Sequence, residues 1–114
     1  MAATVAIELF KGEAKNLDFT VYNSSGSLET ITGWAVSFIV RKSYGSGALI
    51  TKTVGSGITL NTPSAGSLRV SLDEDDTSLD VGSYRCTLAR TDEGSETVLA
   101  DGTLKIKGNT VLPA

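Results

Sequence analysis

Few residues in this chain could do chemistry. Cys86 is the single cysteine, and histidine is absent. A thiol nucleophile needs a base beside it. With no imidazole to serve, Cys86 reads as a small buried core residue. The acidic run Asp73-Glu74-Asp75-Asp76, with Asp80 just beyond, gathers the carboxylates that a hard cation such as calcium requires. Its spacing lacks the fixed glycine and terminal glutamate of an EF-hand loop. It is therefore read as a solvated, capped turn, and no metal site is expected. Gly45-Ser46-Gly47 and Gly55-Ser56-Gly57 do not extend to a phosphate-binding pattern and read as turns. The chain has no Gly-x-Ser-x-Gly elbow, and no two carboxylates stand out as an acid/base couple. Neither a catalytic residue nor a cofactor is expected, so the chain is not expected to be an enzyme.

The elements that would position these residues are strands. Apolar side chains recur with period two along most of the chain. Val5, Ile7 and Leu9 alternate with polar or small residues, as do Leu17, Phe19 and Val21. Trp34, Val36, Phe38 and Val40 form the strongest predicted strand. Its other face, Ala35, Ser37, Ile39 and Arg41, is mixed, as a partly covered face would be. Leu49 to Val54 and the pair Ile58 and Leu60 follow. Leu68, Val70 and Leu72 alternate cleanly, and so do Tyr84, Cys86 and Leu88. The last strand is Thr97 to Ile106, with Asp101-Gly102 predicting a bulge. The segment from Asp73 to Asp80 breaks the rhythm. It predicts a short helical turn that folds Leu79 back on the core. The expected core is Trp34, Val36, Phe38, Leu68, Val70, Tyr84, Cys86 and Leu88.

Composition agrees with that pattern. The 114 residues suit one domain, which buries roughly two thirds of its unfolded surface without metal or disulfide staples. Thirteen serines and fourteen threonines supply nearly a quarter of the chain, and threonine fits a pleated sheet. One cysteine allows no intrachain disulfide, which matches a reducing compartment. The net charge of −3, with no basic run, argues against partners that are nucleic acid or anionic membrane. The longest apolar stretch, within Trp34–Val40, is too short to cross a bilayer. The amino-terminal residues do not follow the pattern of a signal peptide. About eight short strands separated by turn signals predict an all-β fold, a β-sandwich of antiparallel strands, with a small barrel as the alternative.

The stretch Asp80-Val81-Gly82-Ser83-Tyr84-Arg85-Cys86 resembles the corner before strand F of immunoglobulin variable-type domains, where a tyrosine precedes a cysteine by two residues. Trp34 stands on an early strand, as the core tryptophan of that fold does. The partner cysteine is missing, because Leu17 to Val21 offers leucine, phenylalanine and valine. Further pieces add to the likeness. They are Gly33 to Arg41, Gly57-Ile58-Thr59-Leu60, Gly66 to Leu72, Asp76-Thr77-Ser78-Leu79, Gly82-Ser83-Tyr84-Arg85 and Val98 to Leu104. In this order they resemble the small immunoglobulin-like domains of tailed-bacteriophage virions, such as the N-terminal domain of phage baseplate upper proteins.

That resemblance implies one immunoglobulin-like β-sandwich over residues 4–107 and a C-terminal tail over 108–114. It also implies a structural role in the virion, after synthesis in the bacterial host cytoplasm. Such a protein would be a tail or baseplate component or a fibre-attachment adaptor. It would bind other phage virion proteins, as a homo-oligomer or in many copies of a symmetric assembly. A capsid decoration protein and a sugar or host-receptor recognition module are the alternatives. Tyr22 and Tyr44 are the rings a sugar could stack on. Free chain ends fray unless something holds them. Met1, Ala2 and Ala3 at one end, and Val111, Leu112, Pro113 and Ala114 at the other, are therefore expected assembly contacts. Arg41, Arg69, Arg85 and Arg90 could pair with charges across such contacts.

Overall fold

The computed structural model describes residues 3–22, 25–43 and 45–108. Eight strands follow one another: β1 (Ala3–Phe10), β2 (Lys15–Thr20), β3 (Val36–Arg41), β4 (Ala48–Val54), β5 (Gly57–Thr62), β6 (Ser67–Leu72), β7 (Gly82–Arg90) and β8 (Thr97–Lys107). A 3-10 turn, Pro63–Ala65, links β5 to β6. The strands form where apolar residues alternate, because each then buries one face. In β3, Val36, Phe38 and Val40 are buried while Ser37, Ile39 and Arg41 are half-buried.

The hydrogen-bonded order is β1-β8-β7-β3-β4-β5-β6-β2. One continuous sheet folds over at the β4–β5 junction, where just two register pairs join the strands. Gly55 and Gly57 turn the chain there with φ of +89° and +100°. The fold-over makes two layers, β5-β6-β2 against β1-β8-β7-β3-β4. Phe19 of β2 and Phe38 of β3 meet with ring centroids 6.2 Å apart, although they lie four places apart in the sheet order. Both layers feed one core. Leu17, Ile58, Leu68, Val70 and Leu72 enter from one side, and Val36, Phe38, Val40, Tyr84, Cys86, Leu88, Leu104 and Ile106 from the other. The fold is thus an all-β sandwich whose strand order follows the immunoglobulin-like arrangement.

The pairing is mixed where the sequence predicts antiparallel strands. β1 runs parallel to β8 over eight register pairs, and the short β4–β5 contact is also parallel. The first and last strands need no local connection, so their parallel pairing costs no crossover.

Of three further expectations, one holds and two are corrected. Asp73 to Asp80 makes the single short turn expected, with the Thr77 N–H donating to the Asp73 carbonyl four residues back at 3.4 Å, and it does not extend into a helix. Its carboxylates cap it. Asp73 Oδ1 accepts the Asp76 N–H at 3.0 Å and Asp76 Oδ2 accepts the Asp73 N–H at 2.9 Å, which closes the turn on itself. Leu79 does pack on the core from that turn. The bulge in β8 lies opposite Leu88/Ala89, ahead of Asp101-Gly102, and Gly102 stays in register with both Val5 and Cys86. Trp34 precedes β3 and is half-buried at the end of the sandwich. It packs against the core from there, and the Arg90 guanidinium lies over its ring, 4.1 Å from the centroid.

Candidate binding surfaces

Cys86 sits in the middle of β7 and is 1% exposed. Burial, and after it the negative charge of Asp101, push its thiol pKa from 9.0 up to about 11. It is a protonated core group at neutral pH. Native protein is expected to react slowly with a disulfide reagent and to release one thiol per chain when unfolded in urea. Fast labelling of the native state would show that β7 is not buried as described. The raised folded pKa also sets a sign. Above pH 9 the unfolded chain loses the thiol proton first, so this group's contribution to stability is lost as pH rises from about 9 to about 11.

Tyr84 begins the same run of buried side chains. Its hydroxyl donates to the Asp80 carbonyl at 2.5 Å, which ties the corner before β7 to the strand. The Lys42 ammonium lies 4.7 Å from the ring centroid. Burial and then the Asp80 charge raise the phenol above its usual range. Tyr84→Phe keeps the ring and removes the tie. A loss of about 1 kcal/mol is expected from urea unfolding. An unchanged midpoint would mean that the hydroxyl is satisfied by solvent.

The four arginines divide in two. Arg69 Nε pairs with Asp18 Oδ1 and Arg90 Nε with Asp92 Oδ2, each at 2.7 Å. Asp92 also accepts the Ala35 N–H at 3.0 Å. These two partners, the guanidinium first, hold its carboxyl below the usual range. These pairs are internal to the chain. Arg41 and Arg85 are register partners on the outer face of the β3–β7 layer, and Arg41 Nη1 donates to the Ser46 carbonyl at 2.7 Å.

Two carboxylates of the acidic turn, Asp73 and Asp76, are engaged within the chain, while Glu74, Asp75 and Asp80 are exposed. Lys52 Nζ reaches Asp76 Oδ2 at 2.7 Å and joins β4 to the turn. Among the described residues, no three acidic, cysteine or histidine side chains converge as metal ligands. Thr77 in this turn is fully buried, with its hydroxyl donating to the Glu13 carbonyl at 2.8 Å. Ile31 is fully buried as well. Sequence reasoning passed over both, because a lone residue in a loop carries no period.

The open side of the sandwich lies between β1 and β2, the outermost strands of the order. A cleft of about 380 Å³ runs between them. Val5, Ala6 and Ile7 line one wall, and Asn16, Leu17, Asp18 and Phe19 the other. Each strand has a second backbone edge without a strand partner among the described residues. β1 carries a single charged side chain, Glu8, and Phe10 at its end is exposed with the Lys107 ammonium 5.3 Å from its ring centroid.

Of the expected assembly contacts, Ala3 is the first residue of β1. Met1, Ala2, Val111, Leu112, Pro113 and Ala114 lie outside the described residues. Tyr22 is 58% exposed, and Tyr44 lies outside the described residues. Among the described residues no helix is long and apolar enough to cross a membrane.

No protein-family model matches the chain, and no curated protein matches it. Among solved structures, the chain is similar to a family 123 glycoside hydrolase from Clostridium perfringens, with 11% identity and a TM-score of 0.37. That likeness covers 95% of this chain and 23% of the hydrolase chain, and at this level it carries no argument about activity.

Proposed function

We propose that this chain is a structural protein of a tailed-bacteriophage virion, a tail or baseplate component or fibre-attachment adaptor that acts through protein–protein contacts. The observation that carries the reading is the open side of the sandwich. A long strand edge with one charged residue is an aggregation hazard unless a partner covers it. Here the edge of β1 faces the edge of β2 across a cleft in which Val5, Ile7, Leu17 and Phe19 stand beside the polar Asn16 and Asp18. An extended segment of a neighbouring virion protein would pair with one edge and set alternate side chains between Val5, Ile7 and Phe19. A symmetric particle offers such a neighbour to every copy. The role is non-enzymatic in this reading. Its one thiol is buried and protonated, and the acidic turn is occupied by its own backbone and Lys52.

The test is quantitative mass spectrometry of purified particles of the phage that encodes this chain. A low copy number that matches a closed ring is the expected result. A copy number near that of the major shell protein would instead make it a capsid decoration protein. Absence from the particles would overturn the virion role.

A further inference from the structure

The two layers of the sandwich are unequal. Counted from the fold at the β4–β5 junction, β2 is the third and last strand of one layer, and β8 and β1 are the fourth and fifth of the other. β1 therefore overhangs β2. The overhang shows in the burial. Leu104 and Ile106 of β8 and Leu9 of β1 are buried, whereas Val5 and Ile7, on the same face of β1 as Leu9, are half-buried. Both line the cleft of about 380 Å³, with Leu17 and Phe19 across it. Because β8 is covered and β1 is not, the uncovered strip has the width of a single strand.

Backbone direction identifies the open groups. Successive residues of a strand turn their N–H and C=O to opposite edges. The Val21 N–H donates to the Gly66 carbonyl at 2.9 Å, which continues the β2–β6 ladder. Leu17 and Phe19 therefore turn their backbone to β6, and Asn16, Asp18 and Thr20 turn theirs to the open edge. On the other side, the Lys11 N–H donates to the Lys107 carbonyl at 2.8 Å, toward β8. The backbone of Thr4, Ala6 and Glu8 therefore faces outward from β1. Phe10 shares that direction, but its N–H donates to Glu13 Oε1 at 3.1 Å and its carbonyl accepts the Glu13 N–H at 3.0 Å. A strand laid on the β1 edge would widen that layer and leave Val5 and Ile7 uncovered. A strand laid on the β2 edge would lie beneath both and bury them.

We propose that the β2 edge binds a single extended peptide segment of a neighbouring protein, uncharged, with apolar side chains at every second position. This rests on the reading of the open side as the virion contact and names the chemistry of the partner there. The backbone of the segment pairs with Asn16, Asp18 and Thr20. Its alternate side chains pack against Val5 and Ile7 of β1 and beside Leu17 and Phe19 of β2. Charge selects a neutral segment. The one carboxylate that lines the cleft, Asp18, is paired with Arg69, and Glu8 stands on the outer face of β1 with the Lys107 ammonium at 3.5 Å. A charged side chain turned into the cleft would lose its water against four apolar side chains. The overhang selects a lone segment over the edge of a folded sheet. A second copy that paired antiparallel through its own β2 would carry its β8 and β1 into the space that β8 and β1 of the first copy fill.

The experiment titrates the full chain with the capped peptide Thr-Val-Thr-Val-Thr-Val and follows backbone amide NMR shifts and hydrogen exchange. The comparison probe is Val-Val-Val-Thr-Thr-Thr, which has the same composition without the alternation. Saturable shifts and slower exchange of the Asn16, Asp18 and Thr20 amides are expected with the first peptide, and exchange of the Ala6 and Glu8 amides is expected to stay fast. Ile7→Asp is expected to weaken binding about tenfold or more, because it sets a desolvated charge against the segment. Val5→Asp supplies the same test if Ile7→Asp does not fold, and amide dispersion reports folding in each case. No saturable shift at millimolar alternating peptide would overturn the proposal. So would equal binding of the two peptides, protection of Ala6 and Glu8 in place of the β2 amides, or binding unchanged in the folded aspartate variant. Protection of the β2 amides that grows with protein concentration in the absence of peptide would overturn it in favour of a second copy. Peptide binding is read on the isolated chain. Its failure leaves the virion role to the particle count, and absence from particles leaves the binding result standing.

Discussion

Phe38→Ala is expected to lower stability by about 3–5 kcal/mol, the usual range for emptying a buried phenylalanine site. Among the described residues Phe38 is the largest fully buried side chain, at 1% exposure, in the middle of β3. It pairs with Leu88 on one side and with Lys52 on the other, and its ring meets Phe19 across the two layers. Removing it deletes contacts within one layer and between both. Backbone ladders on either side hold β3 in place, so the space does not collapse easily. A domain of this size has about 5–15 kcal/mol of total stability, so the variant would sit near the unfolding threshold. Urea unfolding should show a large drop in midpoint with little change in slope. A loss under about 1 kcal/mol would mean that the layers do not pack through Phe38.

The strands were legible because burial on one face imposes period two. That pattern places β3, β6 and β7 and most of the core, from Phe38 and Val70 to Leu88. Strand partners were not legible. The parallel pairing of β1 with β8 joins opposite ends of the chain, and nothing in the spacing of Val5, Ile7 and Leu9 names β8 as the neighbour. The tyrosine corner was legible, since Tyr84 and Cys86 keep a local spacing and the hydroxyl bonds only four residues back. Trp34 misled because its size suggests the core. It packs against the core from the edge and is half-buried, with Arg90 of β7 over its ring. The outer face of the β3–β7 layer was half legible. The mixed face of β3, with Ile39 between Ser37 and Arg41, signals partial cover. That Arg85 stands beside Arg41 needs the register of β3 on β7, which no local pattern contains.

Gly102 carries the other large expected effect, and it shows how one residue type can signal two structures. A glycine inside a strand marks a bulge or a place where another backbone comes close. Here the second holds. A methyl group built on Gly102 would lie 1.8 Å from the Val5 carbonyl oxygen, with the Val5 carbonyl carbon at 2.8 Å and nitrogen at 2.9 Å. The obstacle is backbone, so no side chain can swing away to make room. Gly102→Ala must therefore push β1 off β8 or distort both strands. The expected loss is about 3 kcal/mol, the upper end for an overpacked site. Amide hydrogen exchange should speed up along Val5–Leu9 while the β3–β7 ladder stays protected, because the damage starts at β1. Gly47→Ala is the control. It has open space around the added carbon and no positive φ, so it should change stability by less than about 0.5 kcal/mol. If Gly102→Ala matched wild type in midpoint and in β1 protection, β1 would not run against β8 as described. The cleft between β1 and β2 would then lose the wall on which the proposed virion contact depends, so this substitution tests the fold and the binding surface together.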